Sequence, residues 1–320
     1  MKRATKIWIA AATLSILIGG LIFVGAMHLN QWDFTKLSTG KFVTSTHRIT
    51  ESFNQIDIEA DTAVIDLLPS QNGECTVICY ERENEVHSVE VRDGTLDIEL
   101  NDTRKWYERI GINLGSPKIT ICIPAGEYGD LNIKTDTGSI SIPSDFSFTE
   151  IDVSADTGNV RCLADVNNAA KIETDTGNIS VENMRAGSMC LKVDTGKIIV
   201  TDVSCENDIT VNVSTGKVKV EGLSCKNLTS EGDTDDILLK GVRAEGGLTV
   251  TRTTGDVSFD GSDAAEIFVE TDTGDVRGTL LTEKIFIAET DTGRVSVPSS
   301  ASGGKCKITT DTGNINIEIK

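Results

Sequence analysis

A repeated pattern decides the fold of this chain, and residues 131–142, LNIKTDTGSISI, show it in its clearest form. Apolar and polar residues alternate on both sides of the triplet Asp136-Thr137-Gly138. Residues 170–181, AKIETDTGNISV, repeat the same alternation around a second triplet. Alternation with a period of two is typical of β-strands that bury one face, and the Gly marks a corner between two such strands.

The corner triplet occurs ten times, and its third residue recurs at a nearly constant interval of about 20 residues, which indicates a repeat architecture. Seven copies read Asp-Thr-Gly, and the variants are Ser214-Thr215-Gly216, Asp233-Thr234-Asp235 and Thr253-Thr254-Gly255. The predicted corner residues are Asp136, Thr137, Gly138, Asp156, Gly158, Asp175, Gly177, Asp194, Gly196, Asp272, Gly274, Asp291, Gly293, Asp311 and Gly313. We expect the Gly to adopt a positive φ and the Asp to close an Asx-turn by accepting a backbone hydrogen bond.

Four columns of positions around the triplets hold the apolar residues. Counted from the third residue of each triplet, positions −7, −5, +2 and +4 are apolar in 38 of 40 cases. A single repeat is too short to bury such faces alone, so we predict that the copies stack as the parallel rungs of an all-β solenoid. Ten rungs at about 4.8 Å give residues 129–320 a length of about 48 Å. The last strand, ending near Lys320, is expected to form the open end of the stack.

Residues 50–128 also alternate, and Asp61-Thr62-Ala63 resembles a degenerate corner. We predict that this region forms less regular strands that cap the solenoid. Residues 101–118 interrupt the alternation and are predicted to form a projecting loop. Residues 28–49 are polar and are predicted to be a linker next to a membrane.

The segment of residues 7–27 is free of charged side chains and rich in Ile, Leu, Ala and Val. It is long enough to cross a hydrocarbon layer of about 30 Å as a helix. Basic residues in the tail of residues 1–6 predict a cytoplasmic amino terminus, with the solenoid outside a cell membrane crossed once. A cleaved signal peptide and a buried core helix are the alternatives, although signal peptides usually have shorter apolar regions.

Composition excludes several classes of function. The chain has 49 acidic and 30 basic side chains and a net charge of −19, which argues against nucleic acid as a partner. The three histidines are His28, His47 and His87, so residues 88–320 hold no His-based catalytic or zinc centre. Trp and Tyr, which often form sugar platforms, do not occur after Tyr128.

The Asp-Thr-Gly triplet is also the signature of aspartic proteases, whose two carboxylates share one proton at about 3 Å. Seven copies at a fixed spacing predict a row of corners instead of such a pair. Structural Ca²⁺ on the Asp row is an alternative, although one Asp per rung supplies too few of the six to eight oxygens that Ca²⁺ takes. We therefore predict no catalytic residue, no cofactor and no metal ligand.

Eight cysteines occur without a Cys-x-x-Cys pair, and most are interpreted as small buried apolar residues. Cys205 and Cys225 differ, because they occupy equivalent positions in the similar segments 203–207 and 223–227 of adjacent rungs. Stacking would place their Cα atoms about 5 Å apart, within the range that permits a disulfide.

The chain resembles a family of bacterial β-strand-repeat proteins usually labelled "putative adhesins". The anchor, the opening Phe53-Asn54-Gln55-Ile56-Asp57-Ile58 and the tandem Asp-Thr-Gly repeats carry the resemblance over residues 50–320. The resemblance implies a membrane-anchored or exported envelope protein and supplies no catalytic residue.

We therefore expect a non-catalytic, membrane-anchored solenoid that acts in adhesion, envelope interaction or assembly. Its expected partners are the membrane, through the N-terminal helix, and an envelope protein, a surface ligand or another copy of itself. Two alternatives stay open: an envelope-stress sensor or regulator that acts through a membrane neighbour, and a polysaccharide-acting β-helix enzyme.

Overall fold

The computed structural model describes residues 3–29, 31–32, 41–103 and 115–320. The chain begins with helix α1 (Arg3–Leu29). Its window Ala12–Leu29 has a mean hydropathy of 2.0, and only 6% of the window is buried. It is the one helix in the described part of the chain that is long and apolar enough to span a membrane, and a signal sequence passes the same test.

The rest of the described chain is almost entirely β-structure. The first seven strands are β1 (Phe42–Ile49), β2 (Gln55–Thr62), β3 (Val64–Pro69), β4 (Cys75–Arg82), β5 (Glu85–Arg92), β6 (Thr95–Asp102) and β7 (Lys118–Ile123). The next eight are β8 (Gly126–Thr137), β9 (Ile140–Ile142), β10 (Phe146–Thr157), β11 (Val160–Cys162), β12 (Asp165–Glu182), β13 (Arg185–Cys205), β14 (Asp208–Thr215) and β15 (Val218–Cys225). The last nine are β16 (Asn227–Thr234), β17 (Ile237–Lys240), β18 (Arg243–Thr254), β19 (Val257–Thr273), β20 (Val276–Leu280), β21 (Lys284–Thr292), β22 (Val295–Ser296), β23 (Gly304–Thr312) and β24 (Ile315–Ile319).

The strands from β8 onward stack in parallel and in register, which confirms the predicted β-solenoid. The column that begins at Leu131 continues through Ile151, Ala170, Met189 and Ile209 on successive rungs. Every one of these five side chains is buried. Because each rung places its apolar residues above those of the rung before, the columns form one continuous core.

Glycine at the corner is required by the distance between rungs. Gly158 and Gly177 have φ values of +157° and +154°. A Cβ atom built on Gly177 would overlap the carbonyl oxygen of Gly158, and one on Gly158 would overlap that of Gly138. The corners therefore pack backbone against backbone, with no room for a side chain.

The side-chain hydrogen bonds at the corners differ from those predicted. Asp136 and Asp175 are exposed, and the bonds between rungs come from residues on either side of the triplet. Thr174 donates its hydroxyl to the carbonyl oxygen of Gly158 at 3.3 Å. The side-chain oxygen of Asn159 accepts a bond from the backbone N–H of Asn178 at 3.0 Å. Hydrogen bonds between neighbouring rungs thus take the place of the Asx-turn that we predicted for the Asp side chain.

The variant corner at Asp235 keeps its place in the stack with a different backbone. Its φ is +77°, whereas the neighbouring Gly216 and Gly255 have φ values of +135° and +142°. The hydrogen bond from the Gly216 N–H to the Thr234 carbonyl is long, at 3.5 Å. Asp in place of Gly therefore changes the backbone at this corner, where the hydrogen bond is long. The register of the adjacent strands is unchanged.

The first rung lies before the regular repeats and is formed by β2 and β3. Thr62 pairs with Thr137, and the Gly138 corner packs directly on the Ala63 carbonyl. On the other side of this rung, β6 and β7 pair with it in parallel. Strands β4 and β5 then continue antiparallel to β7 and β6. We call β1 and β4–β7 the N-terminal cap.

Residues 42–49 are part of this cap and not of a linker, contrary to the sequence-based expectation. They form β1, which pairs antiparallel with β4 from Phe42↔Arg82 to Ile49↔Cys75. The polar residues of β1 suit an antiparallel strand that has one face toward the protein and the other in water. Most of the predicted loop at 101–118 lies outside the described residues.

The order of the rungs changes at the C-terminal end. Strand β19 pairs with β23, and β20 pairs with β24. Strands β21 and β22 pair with the far sides of β23 and β24. The final repeat of the chain therefore lies inside the stack, and the repeat before it, residues 284–296, forms the end rung. The expectation that the last strand forms the open end is wrong.

Burial differs between the inserted rung and the end rung. Cys306, Ile308, Ile315 and Ile317 of the inserted rung are all buried. In the end rung, Ala288 pairs with Ile308, and Val295 remains 43% exposed. The inserted rung has neighbours on both sides, whereas the end rung keeps part of its apolar surface in contact with water.

We predict that Gly177→Ala strongly destabilises the solenoid, because the new methyl group would overlap the backbone of Gly158. Gly261→Ala is the matched control: Gly261 has a φ of +60°, and its nearest neighbour is the Leu281 side chain at 3.8 Å. The control should lose about 1 kcal/mol from backbone strain alone, and Gly177→Ala more than about 4 kcal/mol. Thermal or urea unfolding measures both, and equal losses would refute the stacked corner.

Cysteine cross-linking tests the order of the rungs. Glu270 pairs with Thr309 in the observed order, whereas sequential stacking would place it beside Glu289. We expect oxidation to join the pair Glu270→Cys and Thr309→Cys. The pair Glu270→Cys and Glu289→Cys should remain separate, because one rung lies between them. Mass spectrometry of proteolytic fragments identifies the cross-link, and the reverse result would restore the sequential order.

Candidate functional site

A groove crosses the surface where each rung connects to the next. It is lined by the connections of six neighbouring rungs, from residues 204–206 to residues 282–284 of the end rung, and has a volume of about 1010 Å³. This volume matches the upper end of the range for ligand sites, although the groove is open along its length. We refer to it as the groove.

The groove lies where the side chains in one column are small. On earlier rungs this column holds Tyr128, Phe148, Val166 and Ala186 in succession. It continues to Cys225, Ala244 and Ala264, which line the groove. Small side chains leave the surface recessed there, while the aromatic residue at the other end fills the equivalent space.

Charged side chains of both signs stand along the groove. Acidic and basic residues are mixed in the connections, which carry Glu206, Lys226, Arg243, Glu245, Asp263, Glu283 and Lys284. The four acidic and three basic side chains leave the groove close to neutral, in contrast to the net charge of −19 on the whole chain. A ligand that carries charges of both signs would find partners along the length of the groove.

A buried ion pair stabilises the groove at its C-terminal end. The Lys284 side chain is 4% exposed, and its Nζ lies 2.6 Å from Oδ1 of Asp263. The same Nζ donates a hydrogen bond to the Thr282 hydroxyl at 2.6 Å. Because a buried ammonium without these partners would be costly, the pair links the end rung to the rung of β19 across the inserted rung of β23.

The groove reaches the end rung, whose outer strand edge is unpaired among the described residues. Ile285 and Ile287 of β21 are 45% and 41% exposed, and Val295 of β22 is 43% exposed. Exposed apolar side chains beside open backbone groups are the features that other strands bind. The groove and the end rung together form one candidate interaction surface.

The predicted corner residues lie elsewhere on the solenoid. Successive triplets pair in register, as Thr137 does with Thr157 and Thr157 with Thr176, so the exposed Asp residues form a row along one edge. The groove follows a different edge, at the connections between rungs. Sequence reasoning missed the groove, although the run of small residues from Ala186 to Ala264 is a signal that could have located it.

Comparison with known proteins identifies the family. The model of the family described as Toastrack DUF4097 matches residues 53–210 and 206–320, which together make up most of the chain. The chain belongs to the Toastrack family. A search of curated proteins found no match.

A search of solved structures matched this Toastrack chain to proteins that share 16% or less of its sequence. A "putative lipid binding protein" from Parabacteroides distasonis has 16% identity and a TM-score of 0.49, and the match covers 88% of this chain and 98% of that one. A "putative adhesin" from Bacteroides fragilis has 16% identity and a TM-score of 0.43, with coverage of 88% and 99%. A further "putative adhesin" from Parabacteroides distasonis has 14% identity and a TM-score of 0.48, with coverage of 85% and 98%.

Two thiols form part of the floor of the Toastrack groove. Cys205 and Cys225 are both free and buried, and they follow Ser204 and Ser224, which pair directly. Burial, together with the neighbouring Cys205, raises the pKa of Cys225 to about 12. Burial also raises the pKa of Cys205. The disulfide between them stays a prediction.

We predict that Cys225 reacts slowly with iodoacetamide in the folded protein. A pKa of about 12 leaves roughly a thousandth of the thiolate that an ordinary cysteine has at pH 7.5. Protein reduced beforehand should label at Cys225 only after unfolding in urea, as peptide mass spectrometry can show. Rapid labelling in the native state would contradict the burial.

A second sample, kept unreduced, tests the disulfide, because a bridge lowers the mass of the linked peptides by two hydrogens.

Proposed function

We propose that this protein is a non-catalytic, membrane-anchored solenoid that binds an extended partner of the cell envelope in its groove. The observation that carries the proposal is the groove itself, which crosses six connections and ends at an open strand edge. An elongated ligand suits this shape, because it can contact several rungs at once.

The chemistry of the groove supports binding over a chemical reaction. The charges of both signs are spread over the connections, and they do not converge on one enclosed point as the groups of an active site do. The row of exposed Asp residues at the corners offers the same carboxylate on successive rungs. A surface that repeats its chemistry favours multivalent contact.

The helix supports a location at the cell membrane. Helix α1 is apolar over Ala12–Leu29, and the basic residues Lys2, Arg3 and Lys6 favour a cytoplasmic amino terminus. The chain enters the solenoid through the N-terminal cap, and the end rung lies at the opposite end of the stack. Such an arrangement would direct the end rung away from the membrane, toward other components of the envelope.

Binding to isolated bacterial cell walls tests the proposal. The full chain would be reconstituted in liposomes and sedimented with the cell walls. Ser224 lines the groove and is exposed, so Ser224→Trp fills the groove without entering the core. We expect this variant to bind at least about tenfold more weakly, because the loss of about 1.4 kcal/mol of contact has that effect.

Asn132→Trp is the matched control, because Asn132 is exposed on a strand away from the groove. It should bind as the unchanged chain does. Equal binding by both variants would show that the groove is not the binding site. No binding by the unchanged chain would contradict the proposal that the partner is in the cell wall. Replacing helix α1 by an unrelated anchor separates adhesion, which should survive, from regulation of a membrane neighbour, which should not.

A further inference from the structure

The N-terminal cap contains a cluster of three side chains that can ligate a metal. Cys79, Glu81 and His87 each offer one ligand atom, and these atoms all lie within 4.8 Å of one another. All three residues are buried. Cys79 and Glu81 come from the same face of β4, and His87 comes from β5 after the turn that joins the two strands.

The carboxylate of Glu81 is at the centre of the cluster. Its Oε1 accepts a hydrogen bond from the Ser45 hydroxyl at 2.8 Å. Its Oε2 accepts one from the backbone N–H of His87 at 2.8 Å and lies 2.7 Å from Nδ1 of the same residue. The orientation of the carboxylate is therefore set from β1 and from β5 at once.

One nitrogen of the His87 ring has no partner within the cluster. The side chains of Glu81 and His87 are 2% and 4% exposed, and Nε2 of His87 is buried with no hydrogen-bond partner among the described residues. Buried ionisable groups in proteins are paired or coordinate metals, so the unpartnered nitrogen indicates a group that the protein side chains do not supply.

We propose that Cys79, Glu81 and His87 form a binding site for a divalent transition metal of the zinc class. A thiolate, a carboxylate and an imidazole together suit Zn²⁺ or Co²⁺, whereas Mg²⁺ and Ca²⁺ prefer oxygen ligands alone. Binding takes the proton from the Cys79 thiol and releases it to solvent, so that the sulfur binds as the thiolate. The short contact between the Glu81 carboxylate and the His87 ring has to widen slightly to admit the ion between them.

The surroundings of the cluster complete the site. A cavity of about 130 Å³ is lined by Glu81 and His87, and by Arg82 and Thr62 among others. This space accommodates a water molecule, which zinc sites with three protein ligands take as the fourth ligand. Ser45 stays hydrogen-bonded to Glu81 and orients it, as partners of metal-binding carboxylates do.

The consequence of binding is a firmer N-terminal cap. The ligands join β4 to β5, and the two strands otherwise share the single pair Arg82↔Glu85. A metal ion at a free concentration of about 100 times its dissociation constant stabilises the folded state, because the unfolded chain does not form the site. For a chain of this size we expect a rise in melting temperature on the order of 5 °C.

Titration with Co²⁺ tests the site, using the full chain in detergent micelles under reducing conditions. A thiolate on Co²⁺ produces a charge-transfer band in the near ultraviolet, and tetrahedral Co²⁺ produces visible bands. We expect both bands, with saturation at one ion per chain and with displacement by Zn²⁺. Cys79→Ser should remove the near-ultraviolet band, and His87→Gln and Glu81→Gln should weaken binding by at least about tenfold.

Cys75→Ser is the matched control, because Cys75 lies on the same buried face of β4 and outside the cluster. It should keep the bands and the affinity. No Co²⁺ binding up to millimolar concentration would overturn the proposal, as would bands that Cys79→Ser leaves unchanged. Circular dichroism verifies that each variant folds. If Cys79→Ser does not fold, Glu81→Gln and His87→Gln decide the outcome through their affinities.

Discussion

The structure depends on how closely one corner can approach the next. Consecutive rungs are separated by the hydrogen-bonding distance between strands, about 4.8 Å, and at the corners the backbone of one rung lies against that of its neighbour. Glycine at positions such as Gly158 and Gly177 makes this approach feasible, because a Cβ atom there would overlap the preceding carbonyl oxygen. The in-register columns of the core follow, since each rung is placed by the corner of the one before.

The same stacking turns small differences between repeats into features of the whole surface. Every repeat contributes one residue to each column, so a change in side-chain size along a column changes the shape of one edge. Phe148 fills the edge near the N-terminal cap, while Ala244 and Ala264 leave the groove at the other end. The groove is a property of the stack, because no single repeat contains it.

The N-terminal cap follows different rules from the solenoid. Its antiparallel strands bring together residues that are unrelated by the repeat. Glu81 and His87 are buried there, whereas the carboxylates of the corner Asp residues are exposed. The cap is therefore the place where buried ligating groups meet, and the solenoid is the place where surface chemistry repeats.

The sequence by itself determined the repeat, the parallel solenoid and the apolar helix, because periodic alternation and a corner at a nearly fixed spacing are local signals that each repeat carries. It also located the corners. Gly is needed there because the backbone of the neighbouring rung leaves no room for a Cβ atom. Only the tertiary structure decided the order of the last rungs, the role of residues 42–49 as strand β1, and the meeting of Cys79 with Glu81 and His87. These features depend on packing and strand pairing between segments that are distant in the chain, and such contacts leave no periodic pattern in the sequence.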